Sequence, residues 1–177
     1  MTNFMATLLF IGVLGLLAAA FSRPVADLLA PSRVQLAALV AVLATLSSLY
    51  FSGVEDLIPC RYCWWQRIFM YPMAVILPIG LVRRDRNVRL YALPLALIGL
   101  AVSARHVWVQ QFPDDGGSCE ISAPCSVKLV DAYGFLSIPM MTGLSFGLII
   151  ALLAADLLAD RRSISVTDAD STVEVTR

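Results

Sequence analysis

The sequence predicts an all-α integral membrane protein, and three observations predict it. Hydrophobic residues fill 59% of the 177 positions and charged residues 15%, which is more apolar surface than one soluble domain of that length buries, so lipid is the expected solvent. Five stretches are long and apolar enough, or nearly so, to cross about 30 Å of hydrocarbon as helices of about 20 residues. Charges collect between those stretches, 13 basic against 13 acidic, and that even balance gives no reason to expect nucleic acid as a partner.

The stretches run over 4–21, 34–51, 64–82, 90–109 and 135–159. The first ends in LLAAAFS at 16–22, which resembles a small-residue cleavage site. A signal peptide also requires a positive segment in front, and no side chain before Phe4 is charged. Cleavage would moreover turn every later span over, so 1–33 is read as a retained transmembrane helix and its loop. The polar run 160–177, rich in Ser, Thr and Asp without a helical period, is read as a disordered cytoplasmic tail.

Loop charge sets the orientation, because short loops rich in Lys and Arg stay cytoplasmic. The connection holding Arg83, Arg84, Arg86 and Arg89 is therefore placed inside. Alternation puts the connection 23–33 and the tail beginning Arg161 and Arg162 inside as well. The two cysteine-bearing loops fall outside, with Glu55, Asp56, Asp114, Asp115, Glu120 and Asp131 against Arg61 and Lys128. Disulfides persist in such a compartment.

Cys60 and Cys63 stand in Pro59-Cys60-Arg61-Tyr62-Cys63, immediately before the third span. Two cysteines at this spacing close through one tight turn and open readily. Pro59 starts the helix, Cys63 falls near the positive end of its dipole, and a thiolate there is stabilised. Arg67, four residues on, shares the face of Cys63 one turn deeper and adds a positive charge. An arginine at a helix end can simply snorkel to headgroups. A cation on the outer side of a span runs against the charge bias, however, and ionisable groups there are usually functional. Gln66 offers another hydrogen bond, while Trp64 and Trp65 suit an interfacial belt.

Cys119 follows the turn-rich run Pro113-Asp114-Asp115-Gly116-Gly117-Ser118, so it is expected on a mobile loop within reach of a partner protein. Cys125 comes after Pro124, with Lys128 nearby to favour a thiolate. Val127, Val130 and Tyr133 recur at helical spacing and suggest a short interfacial helix. His106, near the outer end of the fourth span, can exchange a hydrogen bond or a proton near neutral pH, although a satisfied interfacial histidine beside Trp108 would look the same. The four cysteines also admit structural disulfides or one tetrahedral four-thiolate zinc site. Zinc would leave Arg67 unexplained, and no metal is expected.

Pro59-Cys60-x-x-Cys63-Trp64-x-Gln66-Arg67, His106, Pro113 before the second pair and FLSIP at 135–139 together resemble the disulfide bond formation protein B (DsbB) family, especially its shorter BdbC-type members. The likeness covers about 34–159. It implies a four-helix transmembrane bundle core, here with one additional N-terminal transmembrane helix, in a bacterial inner membrane. It implies a thiol oxidoreductase that binds ubiquinone or menaquinone beside Cys63, Gln66 and Arg67, with His106 nearby. A soluble DsbA-like thiol oxidant would pair with Cys119, Cys125 and Cys60 would exchange, and Cys63 would deliver electrons to the quinone. The gap between Cys119 and Cys125 is shorter than in many members. Vitamin K epoxide reductase-like proteins also couple cysteine pairs to a quinone, but their C-x-x-C follows the loop cysteines, whereas here it precedes them.

Overall fold

A computed structural model describes residues 32–54, 58–112, 125 and 137–175, with side chains to Arg161. The additional helix expected over 4–21, Cys119, Lys128 and the interfacial run 127–133 lie outside the described residues.

Four helices follow in order: α1 Arg33–Gly53, α2 Arg61–Arg83, α3 Val88–Gln111 and α4 Ile138–Val175. All four are long and apolar enough to cross a membrane, α4 over Ile138–Arg161. They match the four later stretches read from the sequence to within a few residues. α2 contains Pro72 and Pro78, and α3 contains Pro94. Each proline removes an N–H that would bond the carbonyl four residues earlier, a loss tolerated in membrane helices packed against neighbours.

α2 packs on α1 and α3, and α4 closes the ring between α3 and α1. The result is an up-and-down four-helix bundle. Its outer surface is apolar: Leu39, Leu43, Leu46, Ile68, Val75, Ile79, Leu97 and Ile98 are all exposed. A water-soluble bundle would bury such residues, whereas a lipid-facing one displays them.

Small residues set how closely the helices approach. α3 turns Ala92, Ala96, Gly99 and Ser103 inward, spaced at three and four so that they form one face. The Phe146 ring of α4 occupies the place a side chain at Gly99 would take. Val88 similarly fills the space above Gly80, where the α2–α3 hairpin turns. That turn ends α2 through Arg84, in the left-handed region at φ 52°, with Asp85 N–H bonding Gly80 O at 2.9 Å and Arg84 N–H bonding Leu81 O at 3.2 Å. The Asp85 carboxylate then accepts the Asn87 N–H at 2.8 Å and leads the chain into α3.

The same end carries a polar clasp. Arg89 of α3 donates to Asp156 of α4 at 2.6 Å and also to Asp160, while Arg33 of α1 donates to the Ala155 carbonyl at 3.0 Å. Two arginines that the loop-charge argument counted only as orientation signals thus tie α1 and α3 to α4. The helix does not stop there. The sequence reading makes 160–177 disordered, but α4 continues through Val175. No Gly or Pro follows Gly147, so nothing in the chain imposes a stop.

Replacing Gly99 by Ala drives a methyl group into the Phe146 ring and is expected to cost about 1–3 kcal/mol. Gly147→Ala, in open space on α4, is expected to be neutral or to stabilise by up to about 1 kcal/mol. Thermal unfolding of both variants in one detergent checks this, and equal losses would contradict the packing described.

Candidate active site

Cys60 lies just ahead of α2, extended at φ −72° and ψ 172°, in the N-cap position. Its carbonyl accepts the Trp64 N–H at 3.1 Å, and this first turn brings Cys63 back beside it. Both cysteines are free thiols with their Sγ atoms 3.1 Å apart. Cys60 is only 3% exposed, whereas Cys63 is half-buried.

α3 supplies the third group. His106 is 2% exposed and places Nε2 3.5 Å from the Cys60 Sγ. The Tyr62 ring stacks on the imidazole at 5.4 Å and 26°. The other ring nitrogen, Nδ1, is buried without a hydrogen-bond partner among the described residues. One turn below, Gln66 donates from Nε2 to Ser103 Oγ at 3.1 Å, so two polar contacts join α2 to α3.

Cys125, from the second pair, meets the first pair here. Cys125 is disulfide-bonded and 1% exposed, and it forms a small buried cluster with Cys60 and Val109, against which Tyr62 and Cys63 pack. An oxidised Cys125 cannot serve as a thiolate in a four-cysteine zinc site.

Electrostatics distinguish Cys60. Its pKa is lowered from the usual thiol value to about 4. The hydrogen bond from the Cys63 thiol is the largest cause, and His106 adds a hydrogen bond and an electrostatic attraction, while burial opposes them. The sequence reading placed the stabilised thiolate on Cys63. Here the lowered pKa falls on Cys60, which the Cys63 thiol hydrogen-bonds and which His106 reaches.

Arg67 occupies the opposite flank of α2. Its Nε donates to Ser48 Oγ at 3.0 Å, and Nη2 donates to the Ser48 carbonyl at 3.3 Å and to Ser52 Oγ. Tyr71 donates to the same Ser48 hydroxyl at 3.4 Å, and the guanidinium lies 5.3 Å from the Trp64 ring. Trp64, Trp65, Trp108 and Phe112 are all exposed at this end, as an interfacial belt requires. Cys63 therefore sits one turn above both Gln66, directed to α3, and Arg67, directed to α1.

Residues 31–155 match the family model described as Disulfide bond formation protein DsbB. The chain belongs to the DsbB family. It is 42% identical over 113 residues to disulfide bond formation protein C of Bacillus subtilis, which covers 63% of this chain and 82% of the relative. It is 43% identical over 115 residues to a probable disulfide formation protein C 2 of Bacillus anthracis, covering 64% and 82%. A probable disulfide formation protein of Oceanobacillus iheyensis is 42% identical over 115 residues, covering 63% and 79%. No solved structure matches the chain. Family membership makes this DsbB-family chain a multi-pass membrane protein of disulfide formation, with an oxidoreductase role.

The sequence reading named Cys60, Cys63, Gln66, Arg67, His106 and Cys125, and the fold brings all six to one end of the bundle. It missed Tyr62, Ser103, Ser48, Ser52 and Tyr71. Three of these carried a signal: Ser103 lies three residues before His106, and Ser48 lies four before Ser52, so each pair shares a helix face.

The ultraviolet thiolate absorbance that disappears in Cys60→Ala should persist as pH falls until it titrates near 4. A lowered pKa means that the thiolate is present above that midpoint and lost below it. Cys63→Ala should move the midpoint up most and His106→Ala less. A midpoint in the ordinary thiol range for the unsubstituted protein would refute this picture of the site.

Proposed function

We propose that the chain is a membrane thiol:quinone oxidoreductase that reoxidises an extracytoplasmic, thioredoxin-fold dithiol partner and passes the electrons to a membrane quinone. The observation that carries this is the oxidised Cys125 packed against Cys60, whose thiolate is favoured, at one end of a lipid-facing bundle.

The partner's two thiols reduce the disulfide between Cys119 and Cys125, becoming a disulfide themselves. The Cys125 thiolate then attacks the Cys60 sulfur of an oxidised Cys60–Cys63 pair and releases Cys63. Attack by Cys119 on Cys125 restores the loop disulfide and expels Cys60. A low-pKa thiol leaves faster, so the environment of Cys60 speeds this last exchange. Free Cys60 and Cys63 beside an oxidised Cys125 match the product of that sequence. A bound ubiquinone or menaquinone supplies the acceptor for two electrons and two protons, which leave the dithiol as the Cys60–Cys63 disulfide.

The residues suit such an acceptor. Arg67 holds Nε and Nη2 against α1, and Nη1 makes no hydrogen bond among the described residues, so it can donate to a quinone oxygen beneath Cys63. Trp64 offers an exposed aromatic face. Gln66 supports the site from within by holding Ser103, and His106 lies where a proton can be exchanged with Cys60.

Purified protein given a reduced thioredoxin-fold dithiol should reduce quinone, and Cys60→Ser, Cys63→Ser, Cys119→Ser and Cys125→Ser should each fall to background. Arg67→Ala should raise the KM for quinone roughly ten- to hundredfold, the loss expected for a charge-assisted hydrogen bond, while thiol exchange with the partner persists. Quinone reduction undiminished in the cysteine variants would end the proposal. A membrane-impermeant maleimide should reach Cys119 from outside intact cells after mild reduction; labelling only after lysis would reverse the orientation.

A further inference from the structure

The group formed by Cys60, Cys63 and His106 has a property that thiol exchange does not require. One ligand-type atom from each residue lies within 4.8 Å of the other two: both Sγ atoms and an imidazole nitrogen. Cys60 and His106 are almost wholly buried. Two sulfurs and a nitrogen are the donor set that soft divalent cations prefer, above all Zn2+. From these positions we propose that the dithiol form of Cys60 and Cys63, with His106, is a binding site for Zn2+ that locks the pair reduced.

The geometry requires little change. Zinc bound by two thiolates at about 2.3 Å each holds them roughly 3.8 Å apart in a tetrahedral arrangement. The sulfurs now stand 3.1 Å apart, so they must separate by about 0.7 Å. Cys60, outside the helix proper, can make that adjustment by side-chain rotation. The imidazole is fixed against Tyr62 at the correct depth. Its Nδ1 has no hydrogen-bond partner among the described residues and can carry the ring proton, which leaves Nε2, now in contact with the Cys60 sulfur, free to turn its lone pair to zinc. Oxidised Cys125 lies in the same cluster but offers no thiolate, which leaves the fourth coordination position to water.

The site is gated by redox state. Closing the Cys60–Cys63 disulfide converts two of three ligands into a bond that cannot hold zinc, so the cation binds only after electrons have reached this pair. Both sulfurs bind as thiolates, so any proton they still carry is released, and no electrons are transferred. While zinc is bound, neither sulfur can attack the other and the dithiol cannot be oxidised. This arrest rests on the proposed function, whereas the binding site does not.

The full chain carrying Cys119→Ala and Cys125→Ala separates this site from any four-cysteine alternative. Equilibrium dialysis against Zn2+ alone should find one ion per chain in the dithiol form and none in the disulfide form. Substituting Co2+ should give a thiolate-to-metal charge-transfer band of the tetrahedral type. Cys60→Ser or Cys63→Ser should abolish it. His106→Ala should weaken Zn2+ binding at least about tenfold, and so should His106→Gln, which keeps a polar side chain of similar size in the buried position. Binding only when Cys119 and Cys125 are present, equal binding to the disulfide form, or indifference to both His106 variants would each overturn the site. With a functioning enzyme, Zn2+ that saturates the dithiol should stop quinone reduction and a chelator should restore it; unchanged turnover would overturn the arrest. Absence of quinone reduction without zinc would count against the proposed function and leave the dialysis result to judge the site.

Discussion

The contact of His106 with Cys60 depends on how closely α2 and α3 can lie. A nitrogen on one helix reaches a sulfur at the start of the next only if the backbones approach along their length. Gly80 admits Val88 at the turn, and Gly99 admits Phe146 on the other side of α3. Between them the inward residues of α3 are alanines. The reactive end thus inherits its geometry from small residues two to four turns away, where no chemistry takes place.

Lipid makes that arrangement demanding. Nothing in the hydrocarbon can hydrogen-bond a stray polar group, so each one must find its partner inside the protein. Gln66 and Ser103 satisfy one another, and Arg67 is held by Ser48 and Ser52. At the other end Arg89 meets two aspartates of α4. His106 Nδ1 and the Thr45 hydroxyl are the buried side-chain atoms without a partner among the described residues. Of these, Nδ1 belongs to the residue that, under the proposed reading, exchanges a proton with Cys60.

The helices were legible because a membrane span needs only length and apolar composition, both visible without tertiary information. Cys60, Cys63, Arg67 and His106 were legible because reactive or charged residues stand out in apolar sequence. Ser48, Ser52 and Ser103 were not, since hydroxyls are common in membrane helices and gain meaning only from the residue opposite. The thiolate was assigned to Cys63 because a helix dipole and an i,i+4 arginine act along one chain. The groups that decide for Cys60 include a histidine 46 residues away, a long-range pairing that spacing does not contain. The continuation of α4 past Arg161 is hidden for a simpler reason: polar composition resembles disorder, although no Gly or Pro there breaks a helix.

The two flanks of α2 differ in what they exclude. Toward α3, the Cys60 sulfur is enclosed by His106, Tyr62, Val109 and Cys125, a setting that admits another protein sulfur but little solvent. Toward α1, Arg67 and Trp64 lie at the half-buried edge, open to whatever is dissolved in the lipid. Cys63 stands at the boundary, in contact with Cys60 and one helical turn above Arg67. Under the proposed reading, electrons enter on the closed flank and leave on the open one, and a single helix turn separates the two. Burial of Cys60 then has a second effect beyond its reactivity: small soluble thiols are kept from its sulfur, so under the same reading its electrons come from the protein's own second cysteine pair once that pair is reduced.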